Sequence, residues 1–404
     1  MPAPPAGPGF FPLDERLGLG PGAFTPTVQQ GLVRLGTQLP FEQVPEAAAF
    51  FLGVAVSRET ARRLTERAGG ALVALETAAA EAVGQASECP DGPPVQQGSV
   101  DGAMVPLVHA EWGEVKTLAI GTVERHANGA VHTTALSYFS RLCDAEQFRE
   151  LARGEVHRRG TAQAGQVCAV VDGADWCQKF VDWHCPQAVR ILDFPHAAGY
   201  LSAVAQARWG AGTAAASAWL GKYLHELKHG RPDRVLQALR ALPMGRAPQP
   251  SEARAVQRQA LQYLEARRAQ VEYQQFQAAG YPIGSGIVES ANKLVVEARL
   301  KGSGMHWARA HVNPLVALRG MLCSGRWATD WPPLWARLCR RAPGRPPATA
   351  PAPGAPPTRV PAGTARRAVA DLPLGLGSGP TPAADHPWRR GFEQRQQRKQ
   401  AAKT

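Results

Sequence analysis

Apolar positions along this chain keep helical spacing at first, then alternate, then return to helical spacing, and each change marks a change of element. Over residues 39–69, Val44, Ala48, Phe51 and Leu52 recur at a helical period. Gly53 interrupts them, and Ser57, with Glu59 and Thr60 close behind, is a natural N-cap for a second helix carrying Arg58, Arg62, Arg63 and Arg67. A further helix is expected over 25–35. Two helices across a short turn, the second one basic, make a helix-turn-helix pattern over about 41–69. The second helix of such a unit fits a DNA major groove; the same pattern also fits an ordinary helical hairpin with a solvated arginine face.

From Ser99 the period falls to two. GSVDGAMVPLV, EVKTLAIGTVER and VHTTALSYFS read as three strands joined by polar turns. Residues 144–159 read as a helix with Phe148 and Leu151 on its apolar side. The near-continuous apolar run 167–171 suits a strand buried on both faces, a short helix follows around 177–184, and AVRILDF is another buried strand. The order β-β-β-α-β-α-β predicts an α/β, ribonuclease H-like core, in which parallel strands are added through helices to an antiparallel set of three. Strand signals vanish over about 197–280, which reads as a helical insertion broken near Pro243 and Pro250. GSGIVESANKLVVEARLKG then opens a helix with Ser285 as its expected N-cap, and another helix covers 312–322. The domain reading is therefore an N-terminal helical DNA-binding region at 1–92, a catalytic domain with its insertion at 93–340, and a tail at 341–404.

A hydrophobic fraction of 44% over 404 residues supports a sizeable core. No apolar run reaches the roughly 18 residues of a membrane span, and the Pro/Gly-rich start is unlike a secretory signal, so a cytoplasmic protein is expected. The formal net charge of +12 favours a polyanionic partner. Eleven Lys/Arg against three Asp/Glu from Arg341 onward account for +8 of it, so the body itself is only weakly basic. Twelve prolines among the last 64 residues point to a disordered tail. Seven cysteines without a CxxC pair support neither a disulfide framework nor a zinc ribbon, and read as reduced, mostly buried thiols.

Two strands contain or end in Asp-Gly, at Asp101-Gly102 and Asp172-Gly173. Such a pair is first a turn signal. Asp101 fits that less well, because apolar residues run on through Ala103, Met104, Val105 and Leu107. An acid inside a strand is costly unless compensated, and a divalent cation would compensate it. In the expected topology the first and fourth strands are neighbours, so Asp101 and Asp172 would meet at one end of the sheet as a hard oxygen site suited to Mg2+. Glu289 is the third candidate ligand; its spacing with Lys293 and Glu297 equally fits a surface salt-bridge ladder. Asp175 is expected in a turn role. The run 299–309, with Arg299, Lys301 and Trp307, mixes basic, glycine and aromatic residues suited to phosphate contact and base stacking.

FFPLDERLGL, VDGAMV, VVDGADW, ILDFPHAAGYL, YPIGSGIVESANKLVVEARLKGSGMHWA and VNPLVALRG, in this order over about 10–322, resemble the blocks of bacterial insertion-sequence transposases of the ISKra type, related to Mutator-like transposases. The resemblance implies Asp101, Asp172 and Glu289 as a DDE triad holding Mg2+, with Mn2+ as a substitute. It places Asp193 and His196 on a D-x-x-H signature, as supports of the metal site; an N-cap role for Asp193 fits as well. It also implies metal-dependent cleavage and transfer of DNA strands at terminal inverted repeats, by a homo-oligomer acting at the bacterial nucleoid. Arg58, Arg62, Arg63, Lys293, Arg299, Lys301 and Trp307 are the DNA-contacting candidates. Many relatives carry a cysteine-rich segment ahead of FFPLDERLGL that is not seen here. A catalytically silent DNA-binding derivative and a nuclease that does not join strands are the alternatives.

Overall fold

The computed structural model describes residues 24–339 apart from 86 and 87; the FFPLDERLGL block and the expected basic tail lie outside the described residues. Helix α1 (Pro26–Gln38) starts on Thr25, whose side chain accepts from the Val28 N–H. The short α2 (Val44–Leu52) ends on Gly53, whose φ of 65° is the left-handed conformation a closing residue needs. Ser57 caps α3 (Arg58–Ala82), accepting from the Thr60 N–H at 3.1 Å. Val44 and Ala48 are buried, but Phe51 is 71% exposed beside an equally exposed Phe50. The apolar stripe of α2 is therefore narrower than the sequence period suggested.

Strands β1 (Val95–Pro106), β2 (Trp112–Arg125) and β3 (Val131–Leu142) form an antiparallel meander. Helix α4 (Ala145–Arg158), capped by Asp144, leads to β4 (Gln166–Val171), and α5 (Asp175–His184) leads to β5 (Val189–Leu192). β4 runs parallel to β1 and β5 parallel to β4, so the sheet order is β3-β2-β1-β4-β5. The first and fourth strands are thus neighbours, which brings the end of β4 alongside β1. Cys168, Ala169, Val170 and Val171 are all buried, the mark of a strand covered on both faces.

After β5 the chain becomes helical through α6 (Phe194–Trp209), α7 (Ala214–His229), α8 (Pro232–Ala241), α9 (Pro250–Ala266) and α10 (Tyr273–Ala278). These helices share one core with β4 and β5, including Val170, Leu192, Leu201, Leu239, Leu264 and Tyr273. Helix α11 begins at Gly286–Ala291, widens into a π-helical stretch at Asn292–Glu297 and closes with Ala298–Leu300. With α12 (Arg309–Cys323) it continues that layer over the same face of the meander through Val105, Val115, Ala119, Val295, Val296, Leu315 and Val316, while α4 and α5 cover the opposite face through Val100, Leu118, Phe148, Val171 and Phe180. Each such aliphatic side chain contributes roughly 1.5–3 kcal/mol by leaving water. Helix α13 (Trp327–Cys339) completes the described chain.

The N-terminal helices are built into this body. α3 runs for 25 residues, and a Cβ on its Gly69 would overlap the Pro314 backbone of α12. Glu76 of α3 pairs with buried Arg141 of β3, and Leu72 shares a core with Leu318, Trp331 and Leu334. The boundary expected near residue 92 marks a change of element type, not a gap in packing. All seven cysteines are free, with Cys168 and Cys177 buried.

Candidate active site

Asp101 lies within β1, opposite Thr117 of β2, and Asp172 follows the last residue of β4. Neither is a bare turn residue. Asp101 continues a strand, and its Oδ1 accepts from the Gly102 N–H at 2.7 Å. Asp172 does close its own turn, with Oδ1 accepting from the Ala174 N–H at 2.9 Å, and α5 starts directly after. Glu289 sits in the first turns of α11, exposed. The Asp101 carboxyl is held above its ordinary range, chiefly by burial and further by the charges of Asp172 and Glu289; the Gly102 N–H and the Asn292 amide pull the other way. Two acids 71 and 188 residues further along the chain thus add to the rise at Asp101.

The salt-bridge ladder that would have explained Glu289 as surface decoration does not form. Glu297 pairs with Lys301 at 2.8 Å, whereas Glu289 and Lys293 have no ion pair among the described residues. Also among the described residues, no three His, Cys, Asp or Glu side chains are placed so that together they could hold a metal ion, Asp101, Asp172 and Glu289 included. Asp101, Asp172 and Glu289 offer oxygen donors alone, the hard donor type that Mg2+ and Mn2+ take, without the nitrogen and sulfur of a zinc site.

A second layer of contacts fixes this arrangement. Asp193 is 5% exposed and caps α6: its Oδ2 accepts from the His196 N–H at 3.0 Å and its Oδ1 from the Ser285 N–H at 2.7 Å. Its own N–H donates to Val171 O at 2.9 Å. One residue thus ties the end of β4, beside Asp172, through its backbone N–H, to the residue that precedes α11, through its carboxylate. Ser285 occupies the expected N-cap position but makes no side-chain cap bond; its backbone N–H is held by Asp193. His196 is exposed and packs its ring against Tyr200 and Tyr263. Tyr200 stacks on Tyr263 at 4.0 Å, and the Arg267 guanidinium lies 4.1 Å over the Tyr263 ring. Arg267 Nη2 donates to Gly173 O at 2.6 Å, and a Cβ on Gly173 would overlap the Tyr263 hydroxyl. The helical insertion thereby braces the turn carrying Asp172. Asp175 is exposed on the first turn of α5.

No protein-family model and no curated protein matches the chain.

The basic candidates behave differently. Arg299 is 2% exposed, donates to Gly36 O, and is stacked between Phe41 at 4.7 Å and Trp307 at 5.2 Å. Burial, reinforced by nearby Arg319, lowers its pKa to about 10. Trp307 is 9% exposed, its Nε1 donates to Leu300 O at 3.0 Å, and its backbone bonds with Pro106 and Val108. Both side chains are buried in this structure, where base stacking by Trp307 and phosphate contact by Arg299 were expected at an open surface. Arg62 is gripped by Glu59 and Glu66, which raise its pKa, and Arg58 approaches Glu42 at 3.4 Å. Lys301 is taken by Glu297, leaving Arg63 and Lys293 exposed without an ion pair among the described residues.

Sequence reasoning missed Asn292, whose Nδ2 donates to Asp101 Oδ2 at 2.9 Å. A signal was present: Val288, Ala291, Asn292, Val295 and Val296 form one buried stripe, and a lone amide in an apolar stripe needs a partner. Arg267 and Tyr263 carried no such signal, because their contact with Gly173 joins residues 90 or more positions apart.

Proposed function

We propose that the chain is a Mg2+-dependent DDE-type DNA transposase with a ribonuclease H-like catalytic unit, cutting and joining DNA strands at the terminal inverted repeats of its own insertion sequence. The observation that carries this reading is the placement of Asp101 on β1 beside β4, which leads into Asp172, with Asn292 of the helix that bears Glu289 hydrogen-bonded to Asp101. The sheet order, with β1 and β4 parallel neighbours, supports the ribonuclease H-like assignment.

Asp101, Asp172 and Glu289 would hold the cation. When bound, divalent cations supply charge neutralisation at the phosphate and activation of the attacking oxygen. The protein's part is to present carboxylate oxygens in fixed places: Gly102 and Asn292 orient Asp101, the Ala174 N–H orients Asp172, and Asp193 anchors the start of the helix carrying Glu289. Glu289, free of any ion pair among the described residues, is available to ligate. Double-stranded DNA is the proposed partner, with a second copy of the chain needed to hold two ends together. Arg63 and Lys293 are the cations left open for phosphate. No helix among the described residues is long and apolar enough to cross a membrane.

The test is a nicking and joining assay with purified protein, Mg2+ and DNA bearing the terminal repeats that flank the coding region. Nicked ends followed by joined product are expected from the intact chain, and neither from Asp101→Ala, Asp172→Ala or Glu289→Ala with DNA binding retained. Binding without nicking would instead mark a silent DNA-binding derivative. Nicking without any joined product would mark a nuclease.

A further inference from the structure

We propose that Asn292 is a positioning residue of the acidic site, whose amide nitrogen holds Asp101 and whose amide oxygen accepts a hydrogen bond from the hydration shell of a divalent cation. The inference rests on reading Asp101, Asp172 and Glu289 as that cation's ligands.

Asn292 lies three residues after Glu289, so the two side chains project from neighbouring positions on one side of α11. It is 6% exposed. Its Nδ2 donates to Asp101 Oδ2 at 2.9 Å, and its Oδ1 is buried with no donor. The orientation of the amide is fixed by chemistry: turned over, its oxygen would face an ionised carboxylate, and the nitrogen would lose its acceptor. Buried amide oxygens without a donor are rare, and one that sits an amide's width from an Asp101 hydrogen bond needs an explanation. Apolar packing does not provide one, because the buried neighbours along the helix are Val288, Ala291 and Val295.

The helix is also locally unusual at this point. Asn292 opens the π-helical stretch, a widening that recurs at functional sites in helices. Arg319 Nη2 donates to the Leu294 carbonyl and Cys323 Sγ lies 3.9 Å from it, so α12 occupies an acceptor within the widened stretch. Donors were thus supplied to Leu294 O inside the same stretch, while Asn292 Oδ1 was left with none. Small divalent cations such as Mg2+ keep several waters when bound by carboxylates, and those waters donate hydrogen bonds. An amide oxygen next to Asp101 is suited to receive one, and partners of this kind typically change metal affinity by 10–100-fold.

The experiment is Mn2+ binding to the full chain, followed by electron paramagnetic resonance, together with thermal unfolding with and without Mn2+. Wild type, Asn292→Ala, Asn292→Asp and Asp101→Ala are compared. The inference predicts that Asn292→Ala weakens Mn2+ binding about 10-fold. Asn292→Asp, which keeps the shape and adds a carboxylate, should unfold earlier than wild type without Mn2+ and gain more from its addition. If Asn292→Ala and Asn292→Asp bind Mn2+ as wild type does, and lose equal stability with and without it, the amide is only a structural contact and the inference is overturned. If wild type binds Mn2+ no better than Asp101→Ala, the acidic triad itself is not a metal site, and the inference falls with the reading beneath it. Should Asn292→Ala fail to fold, the two predictions for Asn292→Asp decide the matter alone.

Discussion

The acidic end of the sheet and the basic surface between the start of α3 and the loop after α11 were equally conspicuous in the sequence, yet the fold treats their charges in opposite ways. Asp101, Asp172 and Glu289 have no cationic side chain paired to any of them among the described residues, although burial, with the charges of the other two acids, disfavours the ionised Asp101. Arg62, Arg299 and Lys301 have their hydrogen-bonding capacity consumed within the protein, by Glu59 and Glu66, by Gly36 O and two aromatic rings, and by Glu297. Residue type announces a charge; only the fold shows whether that charge is left over for something else. Uncompensated charge in an otherwise well-satisfied structure is the better pointer to function.

The sharpest way to break this contrast is to remove a carboxylate. Asp101→Ala, Asp172→Ala and Glu289→Ala should each lower Mg2+-dependent nicking by about 1000-fold or more, the equivalent of several kcal/mol of barrier, while circular dichroism stays native. On the basic side the expected loss is in stability. Trp307→Ala should cost roughly 3–5 kcal/mol in urea unfolding, as for a large aromatic removed from a core. A surface role in DNA stacking would cost almost none. Between the two regions, Gly173→Ala would force a methyl into Tyr263 and Arg267. It should destabilise by roughly 1–3 kcal/mol and, by displacing the Asp172 turn, also weaken Mn2+ binding.

Two smaller effects sharpen the comparison. The Asp101 carboxyl is raised by burial and by its acidic neighbours, so in buffer free of divalent cations the folded chain takes up its proton more readily than the unfolded chain does. This group therefore favours folding most at acid pH, and the advantage is lost as pH rises from the ordinary aspartate range through the raised folded value. Asp101→Asn should flatten that part of the stability–pH profile and leave a higher unfolding midpoint near neutral pH. Least of all, Arg63→Ala should reduce the salt dependence of DNA binding by about one counterion, whereas Arg62→Ala should leave it unchanged.

Much of the fold was legible because hydrophobic period and turn chemistry act locally. The three meander strands, the doubly buried β4, the caps at Ser57 and Asp193, and the helical stretch after β5 all follow from neighbouring residues. The meeting of Asp101 with Asp172 was legible one step further, through strand order. Contacts that join distant segments were not. Arg299 and Trp307 read as open DNA contacts because nothing nearby reveals that Phe41 and Gly36 come back to cover them. Phe51 fits an apolar stripe whose partner surface the described residues do not supply. The dual hold of Asp193 on His196 and Ser285 likewise depends on a return of the chain across the whole helical insertion.

The central claim, that three remote acidic segments share one cation site, is tested most directly by metal-directed backbone cleavage. Fe2+ is loaded in place of Mg2+, and hydroxyl radicals generated with ascorbate and peroxide cut the polypeptide next to the metal. The account predicts three sets of fragments, with ends near residues 101, 172 and 289, all suppressed by excess Mg2+ and all lost together in Asp101→Ala. Cuts at only one of these segments, or cuts that persist in that variant, would contradict it.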